Sequence, residues 1–127
     1  AAHAGWRGLA AGVLENTVAA MQGKGAQTPR IHVWLGAAIG PQAFETGAEV
    51  RDAFAAIHAA DAAAFQPVAT RPGKWMGNLY QLARWRLQRI GVEQVGGGPW
   101  CTVQDRRFYS YRRDGVTGRM GSFIWLR

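Results

Sequence analysis

Apolar residues recur at intervals of three and four in three stretches of the chain, a spacing that places them on one face of a helix. The first stretch predicts a helix over residues 9–21, ended by Gly23 and Gly25. The second predicts a helix that begins near Pro41, and the third predicts one that ends at Gly91. The apolar positions are Leu9, Val13, Leu14, Val18 and Met21, then Phe44, Val50, Phe54 and Ile57, and finally Met76, Leu79, Ala83, Leu87 and Ile90.

Shorter runs of β-branched and aromatic residues predict strands between and after these helices. Residues 31–35 predict a buried strand and residues 92–95 a second one, whereas residues 59–72 predict a helix end followed by a loop. Residues 108–111 and 122–126 enclose Asp-Gly and Thr-Gly turns, which favours a β-hairpin. No linker interrupts the pattern, so we expect residues 1–127 to belong to a single domain of mixed, layered α/β architecture that ends in this hairpin.

Arginine dominates the charge of the chain. The sequence has 15 Lys+Arg against 8 Asp+Glu, a net charge of +7, and 13 of the 15 cations are arginines. Guanidinium groups bind phosphate and carboxylate in a planar, bidentate manner, so an anionic ligand is favoured. Arginine also serves simply as a solvated cation, which is our expectation for Arg84, Arg86 and Arg89, since they lie off the apolar face of the third helix.

The cysteine content and the lengths of the apolar runs bear on the cellular location of the protein. The single cysteine, Cys101, excludes an internal disulfide framework. No apolar run approaches the roughly 20 residues that a membrane-spanning helix needs, and the first residues lack a signal-peptide pattern. The sequence therefore predicts a cytoplasmic location. Because the chain opens without Met on a glycine-punctuated motif, we also expect it to be the remainder of a longer protein.

His3 is the foremost candidate for chemistry. It lies where we expect a strand to end and the first helix to begin, a junction at which α/β proteins place functional side chains. Gly5 and Gly8 permit a tight turn, while Trp6 and Arg7 offer a stacking surface and an anion-binding fork. A single histidine before a helix is nevertheless more often a local hydrogen-bonding group, because a zinc site needs three or four ligands.

Other polar residues have simpler interpretations. His32 alternates along a predicted strand, and His58 ends a predicted helix, where the helix dipole stabilises an imidazolium. Cys101 is either a nucleophile or ligand, or a buried small hydrophobe, and the buried role is favoured. The loop 36–41 joins a strand to a predicted helix start, whose free N–H groups could hold an anion.

The segment 106–119 contains five arginines interleaved with Tyr109 and Tyr111, which suggests a surface for phosphate or base stacking. On a strand, however, Arg112 and Arg113 would point to opposite faces. We therefore expect one of them to be a structural ion-pair partner.

Taken together, several motifs resemble the YfiH family, also called the laccase-domain or polyphenol oxidase family. The resemblance covers essentially the whole chain in order. It rests on HAGWRGL at 3–9, LGAAIGPQAFE at 35–45, NLYQLAR at 78–84, GVEQV at 91–95, CT at 101–102 and FYSYRRDGVTGRM at 108–120. Two positions depart from the family pattern, which often has Cys where this chain has Gln42 and Asp where it has Asn78.

The resemblance implies a mixed α/β enzyme that binds one zinc through His, Cys and a second His and acts on purine nucleosides. Family members are described as purine nucleoside phosphorylases with adenosine deaminase and methylthioadenosine phosphorylase activity. The second zinc histidine carries over to His3, and the other two ligands lie upstream of the motif in the family. The chain therefore resembles a C-terminal half, which we expect to be inactive alone. Arg7 is a candidate for positioning phosphate or for stabilising the following helix.

Four other possibilities stay open. One family name implies a copper polyphenol oxidase, but three scattered histidines supply no copper cluster. A bacterial family member is associated with peptidoglycan editing, which implies an amidase acting on cell-wall precursors. A basic module that binds RNA or DNA rests on charge alone, without a supporting motif. A half-domain would expose apolar sheet edges, so we expect either a partner segment or self-association.

Overall fold

Short helices and strands alternate along the chain in the computed structural model, which describes residues 1–125. The mixed α/β class predicted from the sequence is confirmed. The α-helices are α1 (Trp6–Ala10), α2 (Val13–Gln22), α3 (Ala48–Ala55), α4 (Leu79–Arg89) and α5 (Tyr111–Asp114). The strands are β1 (His32–Leu35), β2 (Glu45–Gly47), β3 (Phe65–Pro67), β4 (Lys74–Gly77) and β5 (Gln94–Gly97), and 3-10 turns cover Thr28–Arg30 and Ala59–Ala64.

The strands form two separate small sheets. β1 and β5 pair in parallel, with His32 opposite Gln94 and Leu35 opposite Gly97. The second sheet is antiparallel, with β4 between β2 and β3. Because β1 and β5 run in the same direction, the segments that follow them leave the sheet at the same edge.

Two groups of buried residues hold these elements together. The larger joins α1, α3 and α4 to the antiparallel sheet, and Phe54 and Leu82 at its centre are fully buried. The smaller lies between α2, α4 and the parallel pair and consists of Val18, Ile31, Leu87 and Val92. The helix α4 contributes to both groups and therefore connects the two halves of the core.

The first predicted helix is in fact two helices. Gly12 adopts φ 88° and ψ 27°, a left-handed conformation that residues other than glycine rarely adopt. This residue separates α1 from α2. The apolar spacing in the sequence runs unbroken through this position, and Leu9 and Val18 on either side of it are both buried. Periodicity alone therefore predicted one helix where the chain turns.

The helix predicted to begin at Pro41 begins at Ala48 instead. Residues 45–47 pair with β4, and the carbonyl of Phe44 accepts a hydrogen bond from the Gly77 N–H. Phe44 is buried through this pairing rather than on a helix face, and Ile57 lies beyond α3 and is half exposed. Tertiary strand pairing thus replaced the local helical pattern.

The stretch 59–72 also contains more structure than the predicted loop. It includes the turn Ala59–Ala64 and the strand β3, which pairs with β4. The predicted strand 92–95 is confirmed in part, since β5 begins two residues later, at Gln94. Val92 instead packs in the smaller core group. β1 is confirmed, although its residues alternate between exposed and half-buried rather than being buried throughout.

The third predicted helix is confirmed as α4, with a shifted start. Met76 belongs to β4, and the Asn78 side chain caps the helix by accepting a hydrogen bond from the Gln81 N–H at 3.0 Å. A short polar residue at position 78 therefore has a structural role in starting α4.

The prediction that the arginines of α4 form a solvated face is wrong for Arg84 and Arg86, whereas Arg89 is exposed but also forms an ion pair. Arg86 is 2% exposed and lies 3.1 Å from a Glu15 carboxylate oxygen and 3.5 Å from one of Asp61. Arg89 pairs with the same Asp61, and Arg84 donates to two carbonyls of β5. Buried arginine needs such partners because desolvating an unpaired charge is costly.

The predicted C-terminal hairpin is not formed within residues 108–125. Residues 108–110 are irregular, residues 111–114 form the single turn α5, and residues 122–125 have no ladder partner among the described residues. Leu126, the last residue of the predicted strand, lies outside the described part of the chain. An extended apolar segment becomes a strand only where another strand supplies hydrogen bonds, and local sequence does not specify that partner.

Candidate functional site

His3 lies in an irregular segment that leads directly into α1. Its side chain is exposed, and Nε2 lies 3.5 Å from the position that a Cβ on Gly5 would occupy. The predicted strand before the helix is absent, since residues 1–5 form no strand. The imidazole is therefore accessible to a ligand, but the expected strand-to-helix junction does not position it.

The Arg7 side chain lies over the Trp6 ring at the start of α1. The Arg7 guanidinium lies 4.6 Å from the centroid of the Trp6 ring, within the range of a cation–π contact. Arg7 is exposed, and none of the ion pairs among residues 1–125 involves it. Its N–H donors therefore remain open to an anion.

The histidines do not converge on one site. His32 lies exposed on β1, and His58 lies exposed before the turn Ala59–Ala64. Within residues 1–125, no group of three or more His, Cys, Asp or Glu side chains is placed to share a metal ion. A metal bound at His3 would therefore need ligands from outside the described residues.

A second arrangement, which the sequence analysis did not identify, lies at the carboxyl edge of the parallel pair. The segment after β1 and the segment after β5 meet through a bridge between Ala38 and Cys101. The Thr102 N–H donates to the Ala38 carbonyl at 2.9 Å. In α/β folds, the crevice outside the carboxyl ends of parallel strands is the usual place for a ligand.

Tyr80, from the first turn of α4, holds the two segments together. Its hydroxyl accepts a hydrogen bond from the Ala38 N–H at 2.7 Å and lies 2.8 Å from the Trp100 carbonyl oxygen. Burial raises the pKa of Tyr80, and the charge of Cys101 adds to this, although the Ala38 N–H opposes it. Tyr80 lies within the motif NLYQLAR, but nothing in its local pattern indicates a contact 42 residues away.

Cys101 is half-buried rather than fully buried, which corrects the favoured interpretation. The Gly40 N–H donates to its sulfur at 3.2 Å, and a Cβ on Gly40 would approach the Cys101 Cβ to 2.9 Å. Burial raises the pKa of the Cys101 thiol, but backbone N–H donors, among them those of Gly40 and Gln104, bring that pKa below its usual value. Gly40 is thus required for the close approach of the two segments.

The anion site expected at residues 36–41 is not formed as predicted. No helix begins at Pro41, so the segment has no helix N-terminus. Two of its backbone N–H groups serve the contacts described above, since Ala38 donates to Tyr80 and Gly40 to Cys101.

Two of the five arginines in 106–119 have structural carboxylate partners. Arg113 pairs with Asp114 and also donates to backbone carbonyls, which confirms one structural ion-pair partner in the segment. The strand on which Arg112 and Arg113 would have faced oppositely is instead α5, and Arg112 donates to the Glu45 carbonyl. Arg107 pairs with Asp105.

Helices long and apolar enough to cross a membrane do not occur in the described part of the chain.

Known proteins resemble this chain over its whole length. A family model described as multi-copper polyphenol oxidoreductase laccase matches residues 1–127. A purine nucleoside phosphorylase of Pseudomonas aeruginosa is 57% identical over 128 residues, which cover 100% of this chain and 51% of the relative. Purine nucleoside phosphorylase YfiH of Escherichia coli is 56% identical over 128 residues, or 99% of this chain and 50% of the relative.

A solved structure extends the comparison to the fold. A Neisseria meningitidis protein superposes with a TM-score of 0.79 at 48% sequence identity, over 92% of this chain and 47% of that chain. This chain thus spans about half the length of the curated relatives it matches. A family model that matches the whole chain and relatives of more than 50% identity show that the chain belongs to the laccase-domain family that includes YfiH.

Proposed function

We propose that this chain is part of a purine nucleoside phosphorylase that cleaves inosine, adenosine and methylthioadenosine and also deaminates adenosine. The observation that supports this most strongly is that relatives 56% and 57% identical over essentially the whole chain are named purine nucleoside phosphorylases. An enzyme of this class needs a group that holds phosphate and a group that orients the nucleoside. The proposed compartment is the cytoplasm, consistent with a sequence whose single cysteine provides no disulfide.

His3 is proposed as one ligand of a catalytic zinc. Its exposed imidazole supports this role, but the described residues do not by themselves form a zinc site. The other ligands must therefore come from outside this chain, in the half of the relatives' length that it does not span. This chain's own contribution to the metal is limited to the His3 nitrogen.

Arg7 is proposed to bind phosphate near His3. It lies four residues further along, at the start of α1, and its guanidinium is exposed and lies over the Trp6 ring. Contact with the Trp6 ring limits the movement of the guanidinium, whose planar fork can hold an oxyanion through two N–H groups. In this arrangement, the arginine orients phosphate towards the nucleoside.

The experiment compares His3→Ala with His58→Ala in the natural protein that contains this chain. Both histidines are exposed, so neither change disturbs the core. We expect His3→Ala to lose bound zinc and phosphate-dependent base release, and His58→Ala to retain both. Zinc is measured by mass spectrometry of the purified protein, and base release by chromatography with inosine or adenosine. Full zinc occupancy in His3→Ala contradicts the proposed ligand role.

A copper oxidase is the second candidate, favoured by the description of the matching family model. The same metal analysis separates the two candidates. Zinc with phosphate-dependent base release supports the nucleoside enzyme. Copper with oxygen-dependent phenol oxidation supports the oxidase.

We also propose that an apolar face of this chain is covered by the rest of the natural protein. Trp34 on β1 is 64% exposed and Ile124 is 71% exposed, and both line a groove of about 470 Å³ along the parallel pair. Soluble proteins rarely leave such apolar surfaces uncovered. The occupant proposed here is the half of the family's length that this chain does not span.

A further inference from the structure

Two tyrosines are exposed on the surface where the chain enters α5. Tyr109 is 55% exposed and Tyr111 is 75% exposed, whereas Ser110 between them is buried. The backbone at Ser110 is extended, with φ −142° and ψ 110°, and successive side chains of an extended chain point in opposite directions. The burial of Ser110 therefore turns both aromatic rings outwards.

The Tyr109 ring is supported on one face only. A Cβ on Gly118 would lie 2.8, 2.9 and 3.1 Å from three adjacent atoms of this ring, which are distances expected above the ring face rather than at its edge. The backbone at Gly118 thus packs against one face of the ring. Because more than half of Tyr109 is exposed, the opposite face is open to a planar ligand.

Three arginines of the same segment have no carboxylate partner within residues 1–125, namely Arg106, Arg112 and Arg119. All three are exposed. The hydrogen bond from Arg113 is the main cause that lowers the pKa of Asp114, and the charge of Arg106 adds to this effect, so Arg106 lies near α5. Arg119 directly follows the glycine that supports the tyrosine ring. Their guanidinium groups are therefore available to phosphate beside the exposed rings.

Arg112 extends the positive surface to the antiparallel sheet. It donates to the Glu45 carbonyl at 3.0 Å, and the Glu45 carboxylate pairs with Arg71. Met76 lies opposite Glu45, and Lys74, two residues earlier on β4, is exposed on the same face of the sheet. Three cations thus surround one carboxylate, so positive charge is in excess here as well.

We infer that the surface formed by Tyr109, Tyr111, Arg106, Arg112 and Arg119 binds single-stranded RNA. The bases of a single strand are free to stack on aromatic rings, while arginines contact its phosphates. A duplex keeps its bases stacked inside the helix, and an acidic polypeptide offers carboxylates without planar bases, so neither makes use of the tyrosines. The net charge of +7 favours the approach of a polyanion. This activity is independent of the proposed nucleoside chemistry.

The experiment measures the binding of a labelled oligouridylate to the natural protein that contains this chain, by fluorescence anisotropy at several salt concentrations. Tyr109→Leu/Tyr111→Leu removes both rings, and we expect Kd to rise about tenfold or more because base stacking is lost. The salt dependence is expected to stay the same, since no charge changes. Tyr109→Phe/Tyr111→Phe keeps the rings and is expected to bind within about twofold of the wild type.

A second pair of variants tests the charges. Arg106→Gln/Arg119→Gln is expected to weaken binding and to reduce the slope of log K against log salt by about 1.4, because each phosphate contact to a single strand contributes about 0.7. Lys24→Gln/Arg30→Gln removes the same charge at exposed positions outside this surface, and we expect the slope of the wild type. Circular dichroism checks that each variant is folded.

The inference is overturned if the wild-type protein does not bind the oligouridylate, or if the leucine variant binds it as tightly as the wild type. An unchanged salt slope in Arg106→Gln/Arg119→Gln also contradicts it. Duplex RNA that binds as tightly as the single strand rejects the stacking role of the tyrosines. Polyglutamate that displaces the oligouridylate at equal charge concentration identifies an acidic polypeptide as the partner instead.

Discussion

Arg113 organises the segment that follows β5. Its guanidinium donates to the carbonyls of Thr102, Val103 and Phe108 at 3.0 to 3.2 Å and pairs with the neighbouring Asp114. A lysine ammonium lacks the planar fork of five N–H donors that reaches several carbonyls at once. The excess of arginine in the composition therefore has a structural as well as an electrostatic purpose. The net charge alone did not distinguish arginines with a structural role from arginines that only contribute charge.

The Asp105–Arg107 pair gives a prediction at the same scale. Hydrogen bonds from Arg107 lower the pKa of Asp105 from 3.8 to about 2. Because the folded pKa is depressed, the stabilisation by this pair is present above pH 3.8 and is lost as pH falls towards 2. We expect Arg107→Gln to return the Asp105 pKa towards 3.8 and Arg106→Gln to leave it low. Carboxyl ¹³C chemical shifts followed over pH measure both, and a pKa unchanged in Arg107→Gln contradicts the assignment.

Among the elements, the break between α1 and α2 shows how one backbone conformation overrides a helical pattern. The apolar face is continuous from Leu9 to Val18, yet Gly12 turns the chain between them. Leu9 of α1 belongs to the larger core group and Val18 of α2 to the smaller one, whereas Leu14 of α2 packs against both. The left-handed backbone at Gly12 therefore interrupts the helix even though the apolar spacing continues through it.

Two glycine substitutions test this break. A side chain at Gly12, with φ 88°, is strained, and we expect Gly12→Ala to lower the free energy of unfolding by about 1–2 kcal/mol. Gly23 ends α2 at φ −60° with space for a Cβ, so Gly23→Ala is expected to raise it by about 0.4–1 kcal/mol. Urea denaturation of the natural protein gives both values. Equal effects of the two substitutions are inconsistent with a special conformation at Gly12.

At the scale of the whole molecule, the parallel pair is a small sheet with exposed apolar residues beside it. It has two strands, with Trp34 exposed on β1 and an apolar segment that includes Phe123 and Trp125 exposed near the C-terminus. Ser122 passes close to Gly36, so this segment lies beside the end of β1 without pairing to it. Parallel sheets are normally covered on both faces, which this pair is not.

Replacement of Trp34 tests the proposed cover. In the natural protein we expect Trp34→Ser to lower the free energy of unfolding by about 3–5 kcal/mol, because a covered tryptophan leaves a large cavity. Ile57→Ser, at a half-exposed position beyond α3, is the control and is expected to change it by less than about 1 kcal/mol. Thermal and denaturant unfolding provide the measurement. A Trp34→Ser protein as stable as the wild type indicates that this face stays open to solvent.

Elements whose pattern is satisfied locally were predictable. The apolar face and the following Gly91 defined the end of α4, and β1 and most of β5 followed from short β-branched runs. The helix predicted at Pro41 was wrong because residues 45–47 pair with the distant strand β4. The predicted hairpin was wrong within the described residues, because residues 111–114 form α5 and residues 122–125 have no strand partner. His3 was identified through its motif, and its role as a zinc ligand stays a prediction.

The sequence by itself determined the family, the mixed α/β class and the approximate positions of the main helix α4 and the two parallel strands, because motifs and periodicity are local properties. Only the tertiary structure decided that Arg86 is buried, that Gly12 divides a helix, and that Tyr80 joins the segments after β1 and β5. The burial of Arg86 and the hydrogen bonds of Tyr80 depend on contacts between residues far apart in the chain. The strength of such contacts is set by burial and geometry, which the local sequence does not specify.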